Sequence, residues 1–581
     1  MNKIWKQYEN ILGPKDKRKI FGIITLMVIS GFLEILSLSM IVPLIAAIVN
    51  MELLTKYEIV MKIFMFFGLT DEKSMLIALA AGFAILMVLK NLIIFLMERA
   101  KKYFIAKGKM DTANKLFGIY ITRPYVYFLQ CNSGEIITVV NVLVEKVYSL
   151  LQDILTLISK IIVVIALVVV MVAVDWKVSV FLMAVFVIMT IILYFTMYRK
   201  DEAVGEQATH CTMKMMDIVN QTVGGIKDIK VLNREKYFSE KYKRYSNRNY
   251  KLERQKFIYD TAPKHLSEVV VSVCIAAYIL FSIISGQDMQ AVLVGMSAVS
   301  IAVVRIVPSI NSINACMNRI MYNKPMLLKI SEEVINDINS KDKINFDTNP
   351  APFPLNDRIV FDHVSFMYPD GNENIINDST LTINKGERIG IVGASGEGKT
   401  TFVNILLGFL EPNKGRIIVD GGDIRESVKG WMQNIGYIPQ MIFLVDDTIR
   451  NNIVFGSKDI PDERIWEILK IVKLDKFVQS LDKGLNTPVG ENGVRLSGGQ
   501  RQRIGIARAI LNNPDILVFD EATAALDDET ESEIMKEIYG FNSDKTLIII
   551  SHRVSTLEGC DRIYRVVDGN VIEESMEDTA D

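Results

Sequence analysis

Six long apolar segments in the first 320 residues constrain the fold of this chain most strongly. A helix needs about 20 apolar residues to cross the hydrocarbon core of a bilayer, and lipid leaves no alternative partner for the backbone polar groups of such a segment. The segments lie at about 20–49, 74–98, 150–174, 178–198, 266–285 and 291–316. Half of all residues are hydrophobic. The sequence therefore predicts a membrane domain of six helices over residues 1–323.

The distribution of lysine and arginine predicts how these helices are oriented. Cations are frequent in 99–115 and 199–264, whereas the turns at 175–177 and 286–290 have almost none. By the positive-inside rule, both termini and the two long loops are cytoplasmic. The apolar run that begins near Ile20 exceeds the core of about 7–15 residues of a signal peptide, so we expect a retained membrane anchor.

Charge and cysteine content exclude other classes of protein. The formal net charge is -2 and no long basic tract occurs, which argues against a nucleic-acid partner. The five cysteines, at 131, 211, 274, 316 and 560, have neither metal-ligand spacing nor the pattern of a disulfide framework.

A phosphate-binding motif follows the membrane segments. The sequence GASGEGKT, residues 393–400, comes after the apolar run 389–392 and before an amphipathic stretch. Glycines at these positions let backbone amides surround phosphates at a helix start, the lysine meets phosphate charge, and the hydroxyl can hold Mg²⁺. On this loop alone a chance glycine-rich turn remains open. The motifs IGYIPQ (435–440), LSGGQ (496–500), ILVFDE (516–521) and SH (551–552) make that alternative untenable.

Residues 357–572 resemble the nucleotide-binding domain of ATP-binding cassette (ABC) transporters, with every motif present. The resemblance implies an α/β P-loop ATPase that uses ATP and Mg²⁺, with Glu521 as general base, His552 as γ-phosphate switch and Gln440 as sensor of metal and water. The implied metal ligands are Thr400, Gln440 and Asp520. The implied nucleotide-binding residues are Tyr368, Gly393, Ser395, Gly396, Gly398, Lys399, Thr400, Thr401, Ser497, Gly498, Gly499 and Gln500. Tyr368 would stack on adenine, although a tyrosine before Pro-Asp-Gly can also simply end a strand.

The LSGGQ motif implies two chains. In the family this motif completes the ATP site of the opposite subunit, so ATP would lie between Lys399 of one copy and Ser497 of the other. All the hydrolytic residues occur in this one chain, and we therefore expect a homodimer.

Six spans followed by one ATPase domain is the half-transporter layout of exporter-type ABC proteins. The polar stretch 324–356 is interpreted as a linker, and 573–581 as an acidic tail. Residues 125–130 and 220–230 match the positions of the coupling helices of the family. They could equally be extensions of the neighbouring helices.

Four ionisable residues within or at the ends of the spans bear on the substrate: Glu34, Lys90, Lys264 and Arg305. A charge at the bilayer centre costs at least about 2.5–3.5 kcal/mol, so such residues face a cavity or a partner. Three cations against one carboxylate favour an anionic substrate group. The alternative is that Glu34 pairs with Lys90 or Arg305 for structural reasons, while Lys264 extends to the interface.

The membrane half also resembles bacterial flippases of lipid-linked oligosaccharides. The resemblance rests on a glutamate in the first span followed by Pro43, an amphipathic stretch near 51–68, GGIKDIKVL (224–232) and RIVPSIN (305–311). It implies transfer of a lipid-linked glycan across the bacterial plasma membrane. An exporter of peptides or hydrophobic drugs is the competing hypothesis, because it would share the same ATPase domain. A soluble ATPase conflicts with the six spans.

Overall fold

The structure is a computed structural model. It describes the residues in a set of ranges separated by gaps. These are 2–40, 44, 64–65, 68, 71–131, 133–174, 176–193, 195–196, 199–285, 289–339, 350–351, 353–369, 371–457, 459–522, 528–541, 544–551, 557 and 559–574.

The chain forms two compact units. The first comprises residues 1–123 and 130–344, and the second comprises 124–129 and 345–581. The amino-terminal part is helical. Its helices are α1 Asn2–Ile11, α2 Pro14–Ser39, α3 Glu72–Ile121, α4 Tyr125–Gln130, α5 Ser133–Thr138, α6 Val144–Val174, α7 Trp176–Leu193, α8 Arg199–Gly224, α9 Ile226–Val231, α10 Glu235–Ile284 and α11 Met289–Asn339, with a π-helical segment Val139–Leu143 between α5 and α6.

Each predicted membrane span overlaps one of the long helices. Among the described residues, three helical stretches are long and apolar enough to cross a membrane: Pro14–Ser37, Glu72–Ile121 and Gly134–Val169. The other three predicted spans overlap α7, α10 and α11. Parts of the first and fourth predicted spans, residues 41–43, 45–49, 194 and 197–198, lie outside the described residues, as does the amphipathic stretch near 51–68 apart from 64, 65 and 68.

Several helices are much longer than a bilayer requires. Helix α3 has 50 residues, which at 1.5 Å per residue is about 75 Å, against a hydrocarbon core of about 30 Å. Its charged carboxyl-terminal half is stabilised by pairs with neighbouring side chains. Lys101 is buried, and its Nζ donates to Glu98 at 2.6 Å and to Thr156 of α6 at 3.3 Å.

The first part of the predicted linker 324–356 is helical. Helix α11 continues to Asn339 and includes Pro325. The polar side chains of this stretch have partners in the first unit. The Nζ of Lys324 donates to Glu202 at 2.6 Å, Lys329 pairs with Glu135, and the Ser331 hydroxyl bonds Gln7. A polar composition thus marks a paired helix here.

The two candidate coupling segments differ in structure. Helix α4 coincides with the predicted 125–130, whereas the predicted 220–230 is divided between the end of α8 and α9. Residues 124–129 belong with the second unit. There the Tyr125 ring lies 5.2 Å from that of Phe409, and Val126 packs against the hydrophobic core.

The second unit is an α/β domain with two sheets. Its strands are β1 Arg358–Phe366, β2 Ile376–Asn384, β3 Arg388–Val392, β4 Lys414–Val419, β5 Gly422–Asp423, β6 Ile435–Ile438, β7 Ile516–Asp520, β8 Thr546–Ile550, β9 Arg562–Val567 and β10 Asn570–Glu574. One sheet is antiparallel in the order β2-β1-β4-β5. The other has the order β10-β9-β3-β8-β7-β6 and is parallel except for β10.

Helices cover the mainly parallel sheet. They are α12 Lys399–Leu406, α13 Val428–Gln433, α14 Ile449–Val454, α15 Asp462–Ile471, α16 Asp475–Gln479, α17 Gly498–Ile510 and α18 Asp528–Phe541. Every residue of β7 and β8 is buried, as expected for parallel strands covered on both faces. The predicted fold class, a helical membrane domain followed by an α/β P-loop domain, is confirmed.

Candidate functional site

Four parallel strands bring the predicted motifs to one edge of the sheet. Ile550 of β8 pairs with Ile391 of β3 and with Asp520 of β7, and Phe519 of β7 pairs with Ile438 of β6. The strands therefore end at the same level. The chain leaves them at this edge through the phosphate loop, Ser551, Glu521 and the segment leading to Gln440, the position where open α/β sheets bind ligands.

The loop between β3 and α12 has the backbone geometry of an anion cradle. Gly393, Gly396 and Gly398 have φ values of +151°, +93° and +107°, which glycine adopts without steric cost. A Cβ at Gly393 would lie 2.6 Å from the Val566 carbonyl oxygen. The loop leads into the amino terminus of α12, where backbone N–H groups favour a phosphate. Ser395 and Thr400 are exposed at this loop, so both hydroxyls are accessible.

Lys399 is held back over its own loop. Its side chain is buried, and Nζ donates to the carbonyl oxygens of Gly393 at 2.7 Å and Ala394 at 2.9 Å. The ammonium group is thus fixed beside the glycine cradle, where its charge can meet that of phosphate.

Glu397 is a residue of this loop that sequence reasoning missed. Its Oε2 accepts the Ala394 N–H at 2.8 Å, so the carboxylate braces the loop across three residues. The sequence did contain a sign that Glu397 has a special role. An acidic residue inside GASGEGKT places a negative charge in a loop that is suited to bind anions. The sequence alone did not reveal the hydrogen bond.

Asp520 lies at the end of β7 with its carboxylate buried, and the Tyr437 hydroxyl of β6 donates to its Oδ2 at 3.0 Å. Burial is the main effect on the pKa of Asp520 and raises it. The hydrogen bond from Tyr437 lowers this pKa, the negative charge of Glu521 raises it, and the positive charge of Lys399 lowers it. Tyr437 was not predicted from the sequence. Its role depends on β6 lying next to β7, which no local pattern reports.

Glu521 and Gln440 lie next to each other at this edge. The Gln440 Nε2 donates to Glu521 Oε2 at 2.5 Å. Glu521 has φ +49°, and its N–H donates to the Ile550 carbonyl at 3.0 Å. A non-glycine residue in this conformation stores strain of about 1–3 kcal/mol. The turn directs the chain out of β7 immediately after Asp520.

Ser497 begins α17 with a capping box. Its Oγ accepts the Gln500 N–H at 3.2 Å, and its own N–H donates to the Gln500 side chain at 2.9 Å. The Gln500 carboxamide is therefore engaged within the cap. Ser497 itself is exposed, and Gly498 and Gly499 follow it in the first turn, where N–H groups are oriented outward.

Tyr368, Thr401 and His552 are further predicted ATP-site residues. The Tyr368 hydroxyl lies 3.2 Å from that of Thr401, and its ring meets that of Phe366 edge-on at 5.0 Å. The ring is thus partly packed against the protein. His552 lies outside the described residues, although Ser551 directly precedes it at the common edge.

Two of the four candidate substrate residues form an ion pair. The Lys90 Nζ lies 2.9 Å from Glu34 Oε2, and both side chains are buried. This is the pairing that the sequence left open. Lys264 on α10 is exposed. Arg305 lies on α11, and its side chain is outside the described residues.

Sequence profiles of two families match the chain. Residues 376–524 match "ABC transporter" and residues 20–307 match "ABC transporter transmembrane region". The chain belongs to the ABC transporters. It has the half-transporter arrangement, in which one transmembrane region precedes one ABC ATPase domain.

Similar proteins are bacterial. Proteins of Staphylococcus aureus strains NCTC 8325 and COL, each named "Putative multidrug export ATP-binding/permease protein", are 42% identical over 217 residues. The match spans 37% of this chain and 38% of the length of those relatives. A solved bacterial Atm1-family ABC exporter with ATP bound superposes with a TM-score of 0.76 and 22% identity, over 97% of this ABC transporter and 96% of that chain. This likeness shows a shared fold.

Proposed function

We propose that two copies of this ABC transporter form an ATP-driven exporter in the bacterial plasma membrane, with both termini in the cytoplasm. One observation carries the proposal: Lys399, Asp520, Glu521 and Gln440 extend from the same edge of the sheet. Together they offer a fixed cation, a buried carboxylate and a hydrogen-bonded carboxylate-amide pair. These groups fit a nucleoside triphosphate with a divalent cation.

The residues divide the work of hydrolysis among them. The loop amides and Lys399 bind the phosphates, while Thr400 and Asp520 would hold Mg²⁺, which would neutralise phosphate charge. Glu521 orients the attacking water and accepts its proton, and Gln440 positions Glu521 through their hydrogen bond. Ser497, Gly498 and Gly499 of the partner copy close the site over the γ-phosphate, and His552 has the switch role of contacting that phosphate.

Substitution of the proposed base tests the ATPase mechanism. We expect Glu521→Gln to lower ATP turnover by about 10² or more, with nucleotide binding retained because the amide keeps the shape of the side chain. The matched control is Glu533→Gln on α18, an exposed glutamate of the same domain. Measured turnover near that of the unmodified chain in Glu521→Gln would assign the base to another residue.

For the substrate we propose a lipid-linked oligosaccharide or another anionic amphiphile. A pyrophosphate head group would be met by charge-assisted hydrogen bonds from arginine and lysine, while the isoprenoid tail stays in lipid. Since Glu34 and Lys90 compensate each other, Lys264 and Arg305 are the candidate anion ligands. The pairing leaves two candidate cations for the anionic group instead of three, while the net excess of positive charge stays the same.

Export of peptides or hydrophobic drugs is the second candidate function. The names of the Staphylococcus aureus relatives favour it, and the buried Glu34–Lys90 pair removes one of the three cations that could meet an anionic substrate. Stimulation of the ATPase by hydrophobic drugs and not by lipid-linked sugars would support this candidate.

Transport assays separate the two candidates. In proteoliposomes we expect movement of a lipid pyrophosphate oligosaccharide, and we expect Arg305→Ala and Lys264→Ala to slow it. Arg248→Ala on α10 is the control for loss of a cation elsewhere. The Arg248 guanidinium donates to Gln207 of α8. Equal transport rates in Arg305→Ala, Lys264→Ala and the control would reject the hypothesis that the substrate has an anionic head group bound by these cations.

A further inference from the structure

Asp201 is a buried carboxylate near the start of α8, just beyond the predicted fourth span. Its exposed fraction is 0%. Neither side-chain oxygen has a hydrogen-bond partner among the described residues. An unpaired, ionised carboxylate in such a place is very costly, and proteins avoid the cost by neutralising the group.

The surroundings of Asp201 leave little space. Helix α8 packs against α10 and α11. At Gly205, one turn after Asp201, an added Cβ would lie 2.0 Å from the Tyr322 carbonyl oxygen of α11. Helices α8 and α11 therefore approach as closely as a glycine permits. In such a close-packed interior, an additional group can be accommodated only if the helices move apart.

The nearby cations are engaged by other groups. From α10, Lys256 places its Nζ 4.2 Å from the centre of the Tyr322 ring. From α11, Lys324 pairs with Glu202 at 2.6 Å. Helix α5 also packs against α8, and its carboxylate, Glu135, pairs with Lys329.

The remaining charge beside Asp201 is unfavourable to its ionisation. Asp260 of α10 is a second carboxylate that acts on it. Burial and then the charge of Asp260 raise the pKa of Asp201 to about 7, with Lys256 opposing the rise. Among the described residues, no group of three or more His, Cys, Asp or Glu side chains could hold a metal ion, which favours a proton as the neutralising species.

We propose that Asp201 is a proton-binding site at the junction of α8, α10 and α11, and that the close packing of these helices requires its protonated form. The proton is taken from water by one carboxylate oxygen and returned to water when the carboxyl ionises. This inference goes beyond the proposed function and depends neither on ATP hydrolysis nor on the substrate.

The pH range follows from the sign of the shift. The carboxyl binds its proton more tightly in the folded chain than in the unfolded one, where the ordinary value is about 3.9. Its stabilising contribution is complete below about pH 4 and is lost as the pH rises to about 7. Asp201→Asn, which is neutral at every pH, keeps that contribution.

Thermal unfolding of the full chain in detergent tests the proposal. We expect the melting temperature of Asp201→Asn, relative to the unmodified chain, to increase between about pH 5 and about pH 7.5 and then to stay constant. Comparison of the two proteins cancels the titration of other groups. The control Glu202→Gln removes the charge of the adjacent, partly exposed carboxylate and so separates the effect of Asp201 from that of a neighbouring charge. A constant difference for Asp201→Asn would overturn the proposal.

Infrared spectroscopy gives a direct second measurement. The unmodified chain should have a carboxylic-acid C=O band at about pH 5.5 that is lost by about pH 8.5. The band should be absent in Asp201→Asn and retained in Glu202→Gln. In Asp260→Asn the band should persist but disappear at lower pH, because a negative charge has been removed. Its complete loss there, with retention in Asp201→Asn, would assign the proton to Asp260 and overturn the proposal.

Discussion

At the scale of single residues, the buried pair Glu34 and Lys90 shows how partners change the meaning of a charge. Removing one member of a buried ion pair leaves an uncompensated charge and costs about 3–5 kcal/mol, whereas replacing both by apolar or neutral groups can be nearly neutral.

We therefore expect Lys90→Met to destabilise the chain strongly, and Glu34→Gln with Lys90→Met to recover most of the loss. Thermal unfolding of both variants in detergent checks this, together with the Glu34→Gln single variant that completes the cycle. Additive losses would mean that the two side chains do not depend on each other.

Glu397 can be tested through the difference between its charge and its hydrogen bond. Glu397→Gln keeps an oxygen that can accept the Ala394 N–H and removes the negative charge beside the phosphates, so we expect KM for ATP to equal or fall below that of the unmodified chain. Glu397→Ala loses the brace, and we expect its KM to rise several-fold. Steady-state ATPase kinetics measure both values. Equal KM values in the two variants would show that the brace has no effect.

The residues predicted from the sequence are those whose chemistry is local. Lys399, Thr400 and the loop glycines follow from one contiguous motif. Tyr437 and Asp201 were not predicted, because the function of each depends on a neighbour far away in the chain: Asp520 for Tyr437, and α10 and α11 for Asp201.

At the scale of helices and strands, the capping box of α17 allows two roles of Ser497 to be tested separately. One role is to cap the helix together with Gln500, and the other is to bind nucleotide. Loss of an N-cap serine costs about 1 kcal/mol, and loss of the reciprocal Gln500 contact should cost a similar amount. If Ser497 also binds nucleotide of the partner copy, Ser497→Ala should reduce ATP turnover far more than Gln500→Ala at similar stability. Turnover and melting temperature of the two variants decide this. Parallel losses would restrict Ser497 to the cap.

Helix ends were harder to predict than helix cores. The apolar spans are long and uniform, so their positions follow from composition. The end of α11 does not, because Lys324 and Lys329 are polar in sequence and become paired only against α8 and α5. Composition reports polarity and cannot report the presence of a partner.

At the scale of the whole molecule, the order of the two domains and their fold classes could be predicted because each has a strong and separate signal.

The assembly can be tested by mixing two defective chains. Lys399→Ala and Ser497→Arg each damage both sites of a homodimer, whereas a mixed dimer has one intact site. We expect the mixture to exceed the activity of either variant alone, at most reaching about a quarter of the unmodified rate. Refolded or co-expressed mixtures without any gain would contradict composite sites.

The π-helical segment Val139–Leu143 has a consequence for how the surface of this region is arranged. A wider turn accommodates one extra residue, and one residue corresponds to about 100° around a helix axis. The side chains of α6 are therefore rotated about the helix axis by more than a quarter turn relative to the positions that an uninterrupted continuation of α5 would give them. Deleting one residue within the segment would straighten the ladder and turn α5, with the Glu135 that pairs with Lys329, away from its present neighbours.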